Sequence, residues 1–374
     1  MTIPMLDLKG QYKKIKKDVD ESIQKVIDSA IFINGKEVFN FEKNLSEYSL
    51  SKHVIACANG TDALQIAMMA LELKPGDEVI VPAFTYAATA EVVALLGLVP
   101  VLVDVYSDTF NIKVEDIEPS VTPKTRAIVP VHLFGQTSDM GRILEIAQKY
   151  NLYVIEDNAQ ALGAKYRFED NSEKFAGTIG HIGCTSFFPT KNLGCYGDGG
   201  AIFTQDSSLA ERIRMVTDHG QKVKYYHDII GCNSRLDTIQ AAILNVKLDH
   251  LNEYSASRYQ AAQRYKELLS DVRELVLPVE SDFSTHVYHQ FTLRVKEGRN
   301  ELKKFLNEKG IASTIYYPLP LNRQKAFNRI SKIYVSLENS GRVANEVLSL
   351  PMHTELTEDI QMEVCNAIKD FFGY

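Results

Sequence analysis

Leu152-Tyr153-Val154-Ile155-Glu156-Asp157-Asn158-Ala159-Gln160 runs from four strand-forming residues straight onto two carboxylates. A strand that is apolar on both faces belongs inside a mostly parallel sheet with helices over it. In open α/β sheets the ligand crevice lies at the carboxyl ends of such strands, so Asp157 stands where a ligand would sit. The competing reading of the same residue is an acid that is solvated or caps the next helix.

Outward from this segment, short β-rich runs alternate with helical patterns from about Val54 to Thr204. The strands are expected at Glu78–Val81, Val99–Val105, Ala127–Val131, Leu152–Ile155, Gly183–Phe187 and Gly200–Phe203, with helices at Ala63–Leu71, Ala87–Leu96 and Met140–Tyr150. Strict alternation of this kind makes an α/β sheet rather than segregated elements. Past Arg235 the pattern changes to one long amphipathic helical run reaching about Leu269, then a strand at Tyr288–Val295, a helix near Glu301–Lys309 and two further helices. The chain is therefore expected to divide into a large domain over residues 1–249 and a smaller C-terminal α+β domain over 250–374. There is no internal repeat, low-complexity tract or Gly/Ser-rich linker, so the two should pack closely and share the long helix.

With 45% hydrophobic and 24% charged residues, the 374-residue chain has the composition of a water-soluble globular protein. No apolar stretch is long enough to span a membrane, and Met1-Thr2-Ile3-Pro4 lacks the pattern of a signal peptide; a cytoplasmic location is expected. The net charge of −7 argues against nucleic acid as a partner. Cys57, Cys184, Cys195, Cys232 and Cys365 show neither a C-x-x-C pair nor metal-type spacing, so reduced thiols and no metal site are expected.

Two more segments carry chemistry. Ala58-Asn59-Gly60-Thr61-Asp62 precedes apolar residues at helical spacing and reads as a helix N-terminus, whose free N–H groups suit a phosphate; taken alone, an ordinary cap is the readier account, since such caps are routine. In Ser186-Phe187-Phe188-Pro189-Thr190-Lys191-Asn192-Leu193-Gly194 a lysine follows an apolar strand and precedes a turn containing Gly194, Gly197, Gly199 and Gly200. Most lysines are wet surface residues. One desolvated in such a place has a lowered pKa and is suited to carbonyl chemistry. Together the segments offer a lysine, a carboxylate and a phosphate cradle, the three groups that pyridoxal phosphate needs.

The chain resembles the DegT/DnrJ/StrS family of sugar aminotransferases nearly end to end. The residues that carry the resemblance are Asn59–Leu64, Pro82-Ala83-Phe84-Thr85-Tyr86, Glu156–Gln160, Ser186–Lys191, Gly197-Asp198-Gly199-Gly200 and Asn233-Ser234-Arg235-Leu236-Asp237, with Tyr317-Pro318 and Leu350-Pro351-Met352 later. The resemblance implies an α/β fold of the pyridoxal-phosphate-dependent transferase fold type I. It also implies that Lys191 holds the cofactor covalently, Asp157 pairs with its ring nitrogen, Gln160 lies beside the ring oxygen, Gly60, Thr61 and Ser186 bind its phosphate, and Tyr86 stacks on the ring. Asn233 is expected to reach that phosphate from the second subunit of a homodimer with shared active sites, while Arg235, Tyr316 and Tyr317 line the substrate side. The loop His219–His227 mixes cations with aromatics, and Tyr225 and His227 would clamp a nucleotide diphosphate across the interface; a solvated loop explains its composition equally.

Gly194–Thr204 looks most like the branch that aminates C3 of UDP-linked 2-acetamido-3-keto-glucuronic acid with glutamate as donor, in surface-polysaccharide synthesis. A branch acting on dTDP-3-keto-6-deoxyhexoses is the alternative. Three departures from the family pattern bear on substrate: Tyr316-Tyr317-Pro318 where His-Tyr-Pro is common, a longer polar stretch at Arg167–Ala176, and His181 in place of an Asp. A dehydratase of the same fold would carry histidine at position 191, and a non-catalytic sensor would lack Lys191, Asp157 or Gln160; neither holds here. A nicotinamide dehydrogenase would need a G-x-G-x-x-G after a strand, which is missing.

Overall fold

A computed structural model describes residues 2–374; Met1, the first residue of the N-terminal stretch read above, lies outside them. Its centre is an eight-stranded sheet. In spatial order the strands are His53–Cys57, Gly200–Thr204, Ile182–Ser186, Tyr153–Asp157, Thr125–Ile128, Glu78–Pro82, Val99–Val103 and Lys332–Ile333. Gly200–Thr204 is antiparallel to both its neighbours, and every other pairing is parallel. The inner strands are buried on both faces, as their unbroken Val/Ile content requires.

The six expected strands all occur, within a few residues of their expected bounds. The most consequential difference is at Tyr153–Asp157, which continues two residues past Ile155, so both carboxylates lie in the strand and not beyond it. Asp157 sits opposite Cys184 in the parallel register. The helices Gly60–Ala70, Ala88–Leu95 and Met140–Tyr150 cover the sheet where expected.

The elements not foreseen include the helices Leu8–Ser29 and Lys36–Ser49 and the edge strand His53–Cys57. Both helices pack on Thr238–Leu248. The single long helix expected to reach Leu269 is instead two, Thr238–Leu248 and Leu251–Leu268, broken at Asp249 and His250. The strand expected at Tyr288–Val295 starts at Phe291, because Tyr288 takes a left-handed φ of 43° that no ladder accommodates.

The C-terminal part builds its own core on a three-stranded antiparallel sheet of Leu275–Val276, Phe291–Val295 and Val347–Leu350. Helices Leu251–Leu268, Arg299–Glu308 and Glu358–Phe372 pack round it, burying Tyr265, Leu302 and Ile368 against Phe291 and Leu348. Lys332–Ile333, from the same part of the chain, nevertheless joins the large sheet as its edge. Among the described residues, no helix is long and apolar enough to cross a membrane. All five cysteines are free thiols, and all but Cys232 are buried.

Strand alternation turns Glu156 to the opposite side from Asp157, into the fully buried interior. Its carboxylate accepts from the N–H groups of Gly177 at 2.8 Å, Ile179 at 2.6 Å and Gly180 at 2.6 Å. His132 supplies a fourth contact at 2.8 Å. The His132 proton sits on Nε2, facing Glu156, since Nδ1 accepts from Ser138 N–H at 3.1 Å. Gly183 makes this approach possible: a Cβ there would stand 1.9 Å from Gly177 O. Glu156→Ala leaves three N–H groups unpaired, two of them buried, and should destabilise the protein by about 3 kcal/mol in urea unfolding; a loss under about 1 kcal/mol would contradict the anchoring role.

Candidate active site

The carboxyl ends of the parallel strands open into a cavity of about 700 Å³, a size suited to small-molecule ligands. Nine of the residues expected from the sequence line it: Gly60, Thr61, Tyr86, Asp157, Gln160, Ser186, Lys191, Tyr316 and Tyr317. They come from both parts of the chain, since the loop holding Tyr316 and Tyr317 closes over the ends of the large sheet.

Gly60 opens the helix Gly60–Ala70, and Asn59 caps it by accepting the Asp62 N–H at 2.8 Å. The ordinary cap and the phosphate reading are thus both present, because the cap uses only Asp62 and, among the described residues, the N–H groups of Gly60 and Thr61 donate to nothing. Glycine is required at position 60, where a Cβ would lie 2.7 Å from Ser186 Cβ. That close approach brings the Ser186 hydroxyl beside the helix end, and the positive end of the helix dipole favours an anion there.

Asp157 is buried, with Oδ2 accepting from Thr89 Oγ1 at 2.8 Å and Oδ1 from Ala159 N–H at 3.2 Å. Burial pushes its pKa up, against the downward pull of these hydrogen bonds and of Lys191. Burial in the same cavity brings Lys191 down to about 8, while Asp157 works to raise it. Relative to an ordinary lysine, that shift raises the free-amine fraction near neutral pH by roughly two orders of magnitude. The two groups feel each other's charge but share no hydrogen bond.

Gln160 is held at both ends: Oε1 accepts from Phe134 N–H at 2.9 Å, and Nε2 donates to Tyr317 Oη at 3.1 Å. Tyr317 also packs on Tyr86, with ring centroids 6.1 Å apart, and Tyr86 itself is exposed at the cavity mouth. The Lys191 loop is fixed from behind. Asn192 Nδ2 donates to Val287 O at 3.0 Å, and the buried Lys247 ammonium reaches Gly194 O.

Four expected residues lie outside this chain's cavity. Asn233 bridges Asp218, and Arg235 Nη1 stands 3.5 Å from Asp218 Oδ1. Tyr225 and His227 lie on an exposed hairpin, where Tyr225 is 77% exposed and His227 Nδ1 meets His219 O at 2.9 Å. Of the three departures from the family pattern, only Tyr316 lines the cavity. Arg167 and Glu173–Phe175 belong to a small hairpin, and His181 accepts from Val154 N–H at 3.0 Å at the opposite end of the strands. Sequence reading missed Thr89, His289 and Gln290, which meet Asp157 or the cavity. The polar run His286-Val287-Tyr288-His289-Gln290 before an apolar strand was the available signal for the last two.

These residues fit pyridoxal 5′-phosphate: a buried carboxylate lacking a cation partner, a lysine whose pKa burial brings down to about 8, and a helix end with unpartnered N–H groups beside a serine. Known proteins agree. The chain is 47% identical over 376 residues to a pleiotropic regulatory protein of Geobacillus stearothermophilus, covering 100% of each. It is 44% identical over 366 residues to the UDP-2-acetamido-2-deoxy-3-oxo-D-glucuronate aminotransferase of Pseudomonas aeruginosa, covering 98% of this chain and 99% of that one. A solved DegT/DnrJ/EryC1/StrS aminotransferase from Brucella abortus matches with a TM-score of 0.95 at 42% identity, covering 100% of each chain. The model of the DegT/DnrJ/EryC1/StrS aminotransferase family matches residues 13–369, and the chain belongs to that family of pyridoxal-phosphate-dependent enzymes.

Proposed function

We propose that this enzyme transfers an amino group from glutamate to C3 of a nucleotide-linked keto-sugar, UDP-2-acetamido-3-keto-glucuronic acid before others. The observation that carries the reading is one cavity in which Lys191 and Asp157 face a volume of about 700 Å³, in a chain 44% identical to a relative named for that reaction. In this reading the large part comprises residues 1–249 and the small part 250–374, and the enzyme works in the cytoplasm as a homodimer, supplying surface-polysaccharide synthesis such as that of lipopolysaccharide O-antigen.

When bound, pyridoxal phosphate supplies an aldehyde that condenses with amines and a ring that takes up electrons from the adjoining carbon. Lys191 holds it covalently and, once displaced by the donor, moves the proton on the substrate carbon. Asp157 keeps the ring nitrogen protonated, and that proton in turn relieves the cost of burying the carboxylate. Gly60, Thr61 and Ser186 bind the phosphate, Tyr86 covers the ring, and Gln160 with Tyr317 holds the ring-oxygen side. Tyr316, with Arg235, Tyr225 and His227 of the second subunit, lines the sugar nucleotide. Among the described residues no arginine lines this cavity, which supports a reading in which guanidinium groups for the diphosphate and carboxylates come from the second subunit.

The assignment is tested by incubating the enzyme with glutamate and a panel of keto-sugar nucleotides. Turnover of the UDP-linked uronate is expected to dominate; preference for dTDP-linked 3-keto-6-deoxyhexoses would move the enzyme to the sister branch, and turnover of none would overturn the reading.

Asp157→Asn keeps the shape and removes the charge. Turnover should fall roughly 100- to 1,000-fold, the loss of about 3–4 kcal/mol expected when a preorganised electrostatic contact is removed. Near-normal turnover would refute the ring-nitrogen role.

Shared sites predict complementation. A two-fold interface is reciprocal, so a mixed dimer of Lys191→Ala and Arg235→Ala chains collects both defects in one site and none in the other. Random assortment of the two inactive variants should restore roughly a quarter of wild-type activity. If exchange is confirmed by mass while activity stays at the level of the separate variants, Asn233 and Arg235 serve their own chain.

A further inference from the structure

His289 is 5% exposed and lines the cavity that holds Lys191. Asn192, next to Lys191 in sequence, donates through Nδ2 to Val287 O at 3.0 Å, which turns its Oδ1 toward His289 Nδ1 at 3.3 Å. An amide oxygen only accepts, so the imidazole proton sits on Nδ1, and Nε2 keeps a lone pair with no partner among the described residues. Behind the ring, Arg258 donates to the carbonyls of Tyr288 and His289 at 3.3 Å and of Met352 at 3.1 Å. Burial, with Lys191 and Arg258 as flanking cations, holds the His289 pKa well below its usual value. A neutral acceptor therefore faces the cavity.

Lys191 has the complementary need. Once released by a donor, its amine carries N–H groups inside the cavity, and a buried donor without a partner costs about 1–3 kcal/mol. Both Asp157 oxygens are engaged by Thr89 and Ala159, and Gln160 Oε1 is engaged by Phe134. Asp198 also lines the cavity, but a carboxylate would stabilise the ammonium, which has no lone pair with which to take a proton. A neutral imidazole accepts the hydrogen bond and leaves the lone pair free.

We propose that His289 is a positioning residue: its Nε2 accepts a hydrogen bond from the released Lys191 amine and aims the nitrogen lone pair at the substrate carbon. The proposal rests on the aminotransferase reading and goes beyond it by naming what holds the lysine between its two tasks.

The test follows loss of visible absorbance when L-glutamate, or glutamate deuterated at C2, reacts in a single turnover with the holoenzyme. His289→Phe keeps similar volume without an acceptor, and His289→Gln restores an amide oxygen. His289→Phe should slow the saturated rate roughly 10- to 100-fold and enlarge the isotope effect, with half-saturating glutamate and the resting spectrum unchanged. His289→Gln should recover about tenfold of that loss. A wild-type rate and isotope effect in His289→Phe would overturn the proposal, as would a glutamine variant no faster than the phenylalanine one. Should His289→Phe not fold, His289→Leu takes its place with the same expected results. If glutamate fails to bleach the wild-type enzyme, the donor assignment falls. The rate of covalent capture of pyridoxal phosphate by cofactor-free protein then decides the proposal, with the same expected order of variants and with equal rates overturning it.

Discussion

Two opposite charges, Lys191 and Asp157, share one cavity without meeting. At contact distance such a pair would attract by about 4 kcal/mol at the effective dielectric of a partly wet site, so keeping them apart requires rigid support. Asp157 has it from its place inside a strand, with both oxygens hydrogen-bonded. Lys191 has it from the Asn192 and Lys247 contacts beneath its loop. Held apart, each is pushed by burial toward its neutral form. The space between them then favours a ligand that presents a protonated nitrogen to one side and an electrophilic carbon to the other.

The supporting structure follows from the two-residue period of the central strand. Glu156 faces inward and gathers the Gly177–Gly180 turn and His132; Asp157 faces the cavity. The large sheet thus fixes the floor. The small part fixes the lysine loop and the cavity wall, since Val287 and His289 clamp Asn192 while Arg258 holds the backbone that carries His289. A buried guanidinium bonded only to carbonyls loses much of its hydration, and its pKa falls to about 10. Such a residue costs stability, and here it organises the wall of the site.

How much of this was legible in sequence depends on whether a residue's partner is local. Tyr153–Asp157 was readable because an unbroken apolar run ending on charge has few other homes. The helix Leu8–Ser29 was missed because its buried stripe is thin, Gln11, Ile15, Val19 and Val26 among many charges. The break at Asp249 and His250 hides inside a continuous helical pattern, since neither residue is a glycine or proline. Thr89 was invisible for a different reason, and His289 showed only as part of a polar run: each acts across the fold, Thr89 on Asp157 68 positions away and His289 on Asn192 97 positions away. Family resemblance placed Lys191, Asp157 and Gln160, yet it could not say that Gln160 is pinned between Phe134 and Tyr317.

The account stands on Lys191 being the residue that bonds the cofactor, and the chain contains a fair rival. Lys247 is also buried, with its pKa brought down to about 8, but it bonds Gly194 O and does not line the cavity. Reduction of the pyridoxal-phosphate-loaded enzyme with borohydride, followed by peptide mass mapping, separates the two. Near-stoichiometric labelling of the peptide at Lys191 is the predicted result; a label on Lys247 or another lysine, or a protein that takes up no cofactor, would contradict it.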